Sequence, residues 1–166
     1  MSRNSSLALI LACLSVAWPA LAEDDHHDDD HHVSELDGVR VIHAWTRATS
    51  ARTTEVFFDV QNRSDADVAL TGGESGIAEM VSLVGFTMSG EGEGTYETLP
   101  SVPIKAGGTM KLAPNGLALQ LGGLKQALRQ GDEIEIEVIF DIGHMDVHVE
   151  VEAADATQHS HAGHNH

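Results

Sequence analysis

The sequence predicts an all-β sandwich, on three observations. Short runs rich in β-branched and aromatic residues recur across residues 39–153, each bounded by Gly, Pro, Asn or Asp. Two late runs, IEIEV at 134–138 and MDVHVEV at 145–151, alternate strictly between apolar and polar residues, as strands with one buried face do. At 166 residues and 42% hydrophobic content, the chain has enough for one core, and with aromatics at 4% aliphatic side chains must build it.

In order, residues 39–45 (VRVIHAW) and 54–60 (TEVFFDV) read as the first strands, and Asn62-Arg63-Ser64-Asp65 as the turn that follows. Further short strands are expected at 80–86, 95–99, 109–112 and 117–121. Gly72-Gly73, the glycine-rich stretch 90–94, Gly107-Gly108 and Pro114-Asn115-Gly116 separate them. Residues 124–129 are expected to form one helical turn. The two alternating runs close the domain as a plausible hairpin, which places Glu133, Glu135 and Glu137 on the outer face of one strand. His144, Asp146 and His148, followed by Glu150 and Glu152, take the same face of the other. Many short strands with turn residues between them point to a sandwich.

The ends differ in kind. Residues 1–22 read as a secretory signal peptide: Arg3 supplies the positive region, residues 7–16 (LALILACLSV) are too short to span a bilayer, and Ala20-Leu21-Ala22 is a small-x-small cleavage site. Ile10-Leu11-Ala12-Cys13 loosely resembles a lipobox, but the expected cut after Ala22 removes the single cysteine and leaves a thiol-free mature chain in the periplasm. Residues 23–38 and 154–166 are rich in His and nearly devoid of apolar side chains, so they read as disordered tails flanking the 39–153 domain.

Charge and motifs exclude several functions. Twenty-six Asp and Glu against nine Lys and Arg give a formal net charge of -17, which repels phosphate backbones and attracts cations. No nucleic-acid partner is expected, nor membrane insertion once the signal is removed. No strained Gly-x-Ser-x-Gly turn is present. Gly90-Glu91-Gly92-Glu93-Gly94 lacks the Lys, the Ser/Thr and the helical context of a phosphate loop. The chain is read as a binding module and not an enzyme.

The central segment resembles the PCu(A)C family of periplasmic copper chaperones. The matching pieces are Ala44-Trp45-Thr46-Arg47-Ala48-Thr49, Val60-Gln61-Asn62, Ile104-Lys105-Ala106-Gly107-Gly108-Thr109, Leu112-Ala113-Pro114-Asn115-Gly116-Leu117, Leu121-Gly122-Gly123-Leu124 and Leu128-Arg129-Gln130-Gly131-Asp132, in that order. The resemblance implies a cupredoxin-like, immunoglobulin-like Greek-key sandwich and a role in copper delivery toward cytochrome oxidase assembly. The family's copper motif, H-M-x10-M-x21-H-x-M, is a soft His/Met set suited to Cu(I). Anchored on Pro114-Asn115-Gly116-Leu117, its positions fall on Val84, Gly85, Tyr96, Ala118 and Gln120, none of them a His or Met. No site residue carries over.

Candidate ligands therefore come from the chain's own histidines, eleven in number. His26, His27, His31 and His32, interspersed with aspartates, and His159, His161, His164 and His166 at the other end offer imidazole and carboxylate donors for Zn(II) or Cu(II). His144, Asp146 and His148 form a second candidate on one strand face, with an ordinary polar outer face as the alternative. His43 reads as a structural histidine of the first strand. The function expected is capture of copper or zinc by the His-rich segments, then buffering or delivery to a metal-receiving periplasmic or membrane protein. The rival reading is an interaction scaffold with solubilising tails.

Overall fold

The computed structural model describes residues 33–160. Their strands are β1 (Val33–Leu36), β2 (Val39–Arg47), β3 (Thr53–Asn62), β4 (Val68–Glu74), β5 (Met80–Met88), β6 (Gly94–Thr98), β7 (Val102–Ile104), β8 (Thr109–Lys111), β9 (Leu117–Gly122), β10 (Glu133–Phe140) and β11 (Gly143–Glu152). The described residues contain no helix, and so none long and apolar enough to cross a membrane. Hydrogen bonding links the strands in the order β6-β5-β9-β3-β2-β11-β10-β4-β7, with β1 on β2 and β8 on β3. Every pairing is antiparallel except β11 with β2.

This mixed sheet folds over one core. Val56, Phe58 and Val60 of β3 and Leu119 and Leu121 of β9 share it with Leu70 of β4, Ile136 and Val138 of β10, and Val147 and Val149 of β11. Burying each such side chain stabilises the fold by about 1.5–3 kcal/mol. Strict alternation builds the wall: Met145, Val147, Val149 and Val151 are buried while His144, Asp146 and His148 are exposed. The expected hairpin is present, in the register Glu137↔Asp146 and Glu135↔His148. On the opposite face of β3, Phe57 meets Trp45 of β2 with ring centroids 4.8 Å apart, and Val84 and Ala118 complete a second buried cluster.

Several expectations need correcting. Val33–Leu36, inside the segment read as tail, pairs with β2 in the register Val33↔Ile42. Gly72-Gly73 is not a turn but part of β4. A Cβ on Gly73 would stand 2.6 Å from the Glu137 carbonyl, so glycine there permits close approach of β10. Residues 124–129 form no helical turn, because their amides bond outward: Leu124 to Arg52, Lys125 to Ile77 and Leu128 to Thr49. β7 went unread because Pro103 interrupts it, which an edge strand tolerates. The turn at residues 62–65 is present and is pinned by buried Asn62. Its Nδ2 donates to the carbonyls of Ala66, Ile104 and Lys105, and its Oδ1 accepts from Ser64 Oγ at 2.7 Å.

Candidate metal centre

The alternation of β11 breaks at its end. Glu150 is half-buried and Glu152 buried, although both lie on the polar face. The cause is the segment that follows. A turn from Ala153 to Ala156 reverses the chain. Ala156 then packs against the Trp45–Phe57 cluster, and its carbonyl accepts a 2.7 Å hydrogen bond from Arg47 Nε. The Arg47 guanidinium lies over both rings, 5.7 Å from the Trp45 centroid and 5.4 Å from that of Phe57.

This return carries His159 and Ser160 back over the end of β11. The Ser160 amide and hydroxyl donate to the Glu152 carboxylate at 2.7 and 3.0 Å. His159 Nδ1 lies 3.0 Å from Glu152 Oε1 and 3.8 Å from Glu150 Oε2. The His159 side chain is 7% exposed, that of Glu152 10% and that of Glu150 36%. One imidazole nitrogen and two carboxylate oxygens thus lie within 4.8 Å of one another, the one group of three potential ligands that converges in this way among the described residues.

His43 forms the far wall. It occupies the bulge where the β2–β3 register shifts between Ile42 and Trp45, with a left-handed φ of 54°. Its ring stacks on that of His159, centroids 5.7 Å apart and planes 20° apart. Both line a cavity of about 300 Å³ with Trp45, Asp59, Lys111 and Pro114.

The other sequence candidates fare differently. His144 and His148 are exposed on the outer face of β11, as the alternation required, but each turns to a glutamate across the hairpin. His144 Nδ1 lies 3.0 Å from Glu137 Oε1, and His148 Nδ1 lies 3.0 Å from Glu133 Oε1. Asp146 is exposed between them. Same-face neighbours two residues apart on a strand stand about 6.5 Å apart, and these three donors do not converge. His26, His27, His31, His32, His161, His164 and His166 lie outside the described residues. His159, read as a tail residue, belongs to the domain surface. Glu150, Glu152 and His43 were not named as ligands. The alternation had already placed both glutamates on one face, but nothing local signals the return of His159 or the ring of His43 beside it.

Three positions of the family copper motif come together. Val84 pairs with Ala118 in the β5–β9 ladder, and Tyr96 packs against the cluster that holds both. What fills them is hydrocarbon and one phenol. Tyr96 Oη accepts from the Asn115 amide at 3.3 Å, and burial pushes its ionisation above the ordinary tyrosine range, with the negative charge of Glu55 acting in the same direction. Gln120 is engaged elsewhere, donating to Glu55 Oε1 at 3.2 Å.

This fold, a mixed sheet folded over an aliphatic core, is cupredoxin-like and of the PCuAC type. It superposes on the copper-bound PCuAC domain from PmoF2 with a TM-score of 0.61, at 19% identity, over 74% of this chain and 98% of that one. For the solution structure of CuI-DR1885 from Deinococcus radiodurans the TM-score is 0.53, at 27% identity, over 66% and 74%. The chain belongs to the LpqE-like family ("Putative lipoprotein LpqE-like"), which residues 39–153 match. A relative, "Putative lipoprotein Lxx21020" of Leifsonia xyli subsp. xyli (strain CTCB07), is 32% identical over 109 residues. Those residues make up 66% of this chain and 66% of the relative.

Proposed function

We propose that this chain is an exported, envelope-associated metal-binding protein of the copper-chaperone type. It captures copper or zinc through His-rich segments and buffers the ion or passes it to a receiving protein of the periplasm or membrane. It acts by ligand exchange and not by catalysis. The reading is carried by one observation: a PCuAC-type sandwich has lost the His/Met donors at its motif positions while the chain has gained His and carboxylate donors at both ends. The copper held by the PmoF2 domain and by DR1885 supports copper as cargo. Imidazole with carboxylate suits Cu(II) and Zn(II) better than Cu(I), and a net charge of -17 draws cations to the surface.

The test is metal analysis of protein isolated from the cell envelope without an affinity column. Copper or zinc at one equivalent or more per chain is expected. Metal-free protein that takes up neither ion would leave the scaffold reading in its place. The family's lipoprotein relatives favour a second reading of the N-terminus, in which Cys13 of Ile10-Leu11-Ala12-Cys13 is lipidated and holds the protein at the membrane. Intact mass decides between them: a chain beginning at Glu23 supports the soluble form, and one beginning at an acylated Cys13 the anchored form.

A further inference from the structure

We propose that Glu150, Glu152 and His159 form a divalent-cation site on the domain itself, for Zn(II) or Cu(II), apart from the positions of the family motif. The proposal rests on the reading of the chain as a metal binder and deepens it by placing one ion at named atoms.

Geometry is the first argument. Zinc–nitrogen and zinc–oxygen bonds of about 2.0–2.1 Å put tetrahedral ligands about 3.3 Å apart. The separations from His159 Nδ1, 3.0 Å to Glu152 and 3.8 Å to Glu150, bracket that edge. A small movement of the Glu150 side chain, the most exposed of the three, completes a three-ligand face, with water in the fourth position.

Charge is the second. Two carboxylates share one strand end, and Glu152 is nearly buried there. Its ion pair is with His159, a residue charged only when protonated. Desolvated carboxylates are costly unless a cation lies against them, and a dication at the centre of the three donors compensates both glutamates at once.

The surroundings are those of a supported site. The Ser160 amide and hydroxyl hold the Glu152 carboxylate in place, and the ring of His43 stacks on His159 and limits its rotation. The donors are imidazole and carboxylate with no thioether among them, which selects borderline divalent ions over Cu(I). Position adds a route, because His161, His164 and His166 follow His159 directly in sequence.

The alternative is a plain clamp, in which the His159–Glu152 pair only ties down the C-terminal segment. The test uses the full mature chain with His26, His27, His31, His32, His161, His164 and His166 replaced by Asn, titrated with Zn(II) against a competing chelator. One equivalent is expected to remain, and His159→Asn, Glu152→Gln or Glu150→Gln in that background should each weaken it by about tenfold or more. His144→Asn with His148→Asn should leave it unchanged. Far-UV circular dichroism confirms folding, and Glu150→Gln, at the most exposed ligand, keeps the test open if Glu152→Gln fails to fold. Zinc binding lost with the tail histidines alone, or indifferent to all three ligand variants, overturns the site while leaving the metal-binding reading intact. A wild-type chain that binds neither Zn(II) nor Cu(II) overturns both.

Discussion

His43 of the second strand and His159 of the segment that follows the last strand stack ring on ring with centroids 5.7 Å apart. The contact depends on a strained backbone. His43 adopts a φ of 54° inside the β2 bulge, a conformation that costs a non-glycine residue about 1–2 kcal/mol. Replacing His43 by Ala removes the ring and keeps the strain, whereas His43→Gly removes both. The glycine variant should therefore be more stable than the alanine variant by about 1 kcal/mol, read from urea denaturation midpoints. Both should speed amide exchange at His159 and Ser160. Equal stability of the two would mean that the bulge relaxes without cost.

How much of this could be read from the sequence varies from element to element. β10 and β11 were legible because their alternation is strict and local, and it pointed to a hairpin between them, whose register the structure supplies. Val33–Leu36 was not, because a short strand beside an acidic, His-rich run looks like its neighbours until β2 pairs with it. Gly72-Gly73 misled for a physical reason: the same absence of a side chain that permits a turn also permits backbone contact inside a sheet. The candidate site was half legible. Glu150 and Glu152 were placed on one face, but the return of His159 depends on contacts distant in sequence, Arg47 with Ala156 and Ser160 with Glu152. Of the motif positions, Val84, Tyr96 and Ala118 meet in a cluster around Trp45 and Phe57, a packing that their spacing alone did not state.

Tyr96 offers a clean probe of that cluster, since it is the one tyrosine of the chain. Burial chiefly, and Glu55 secondarily, raise its ionisation, against the opposing Asn115 amide and Arg47. Spectrophotometric titration near 295 nm should place the phenol above the ordinary value near 10 in the folded protein and return it to that value in denaturant. The sign follows: a raised acid pKa means that the folded state holds its proton longer. Its contribution to stability is complete below the ordinary tyrosine range and is lost as pH rises through the folded value. A folded-state midpoint at or below the ordinary value would show that the ring is not packed as described.

Asp67 and Lys105 make the opposite case on the surface. Lys105 Nζ donates to Asp67 Oδ2 at 2.7 Å and the Ala106 amide to Oδ1 at 2.9 Å, and the two bonds together hold the carboxyl below its usual range. The stability this lends is present above the ordinary carboxylate range and is lost as pH falls through the lowered value. Carbon-detected NMR titration should find Asp67 titrating low in the wild type and closer to its ordinary value in Lys105→Met. Because both groups are exposed, salt should weaken the effect.

The last prediction concerns the inherited motif. Cu(I) needs soft donors, and the positions that supply them in the family pattern here hold Val84, Gly85, Tyr96, Ala118 and Gln120. Val84 and Ala118 are buried against Phe57 and Trp45, and no thioether or imidazole donor stands among them. The chain whose tail histidines are replaced by Asn should therefore compete poorly for Cu(I) against a chelating probe, while still taking Zn(II). Installing donors one at a time should not rescue it, because a His at Ala118 must displace packed side chains, at a cost of about 1–3 kcal/mol. Gly85→Met is better tolerated, because its Cβ would stand 3.0 Å from Leu99 Cδ1, the end of a side chain that can shift, but a lone thioether does not make a Cu(I) site. Tight one-to-one Cu(I) binding by the tail-substituted chain would mean that other thioethers have assembled a site. The exposed Met80 and Met88 at the two ends of β5 would then be the first to replace.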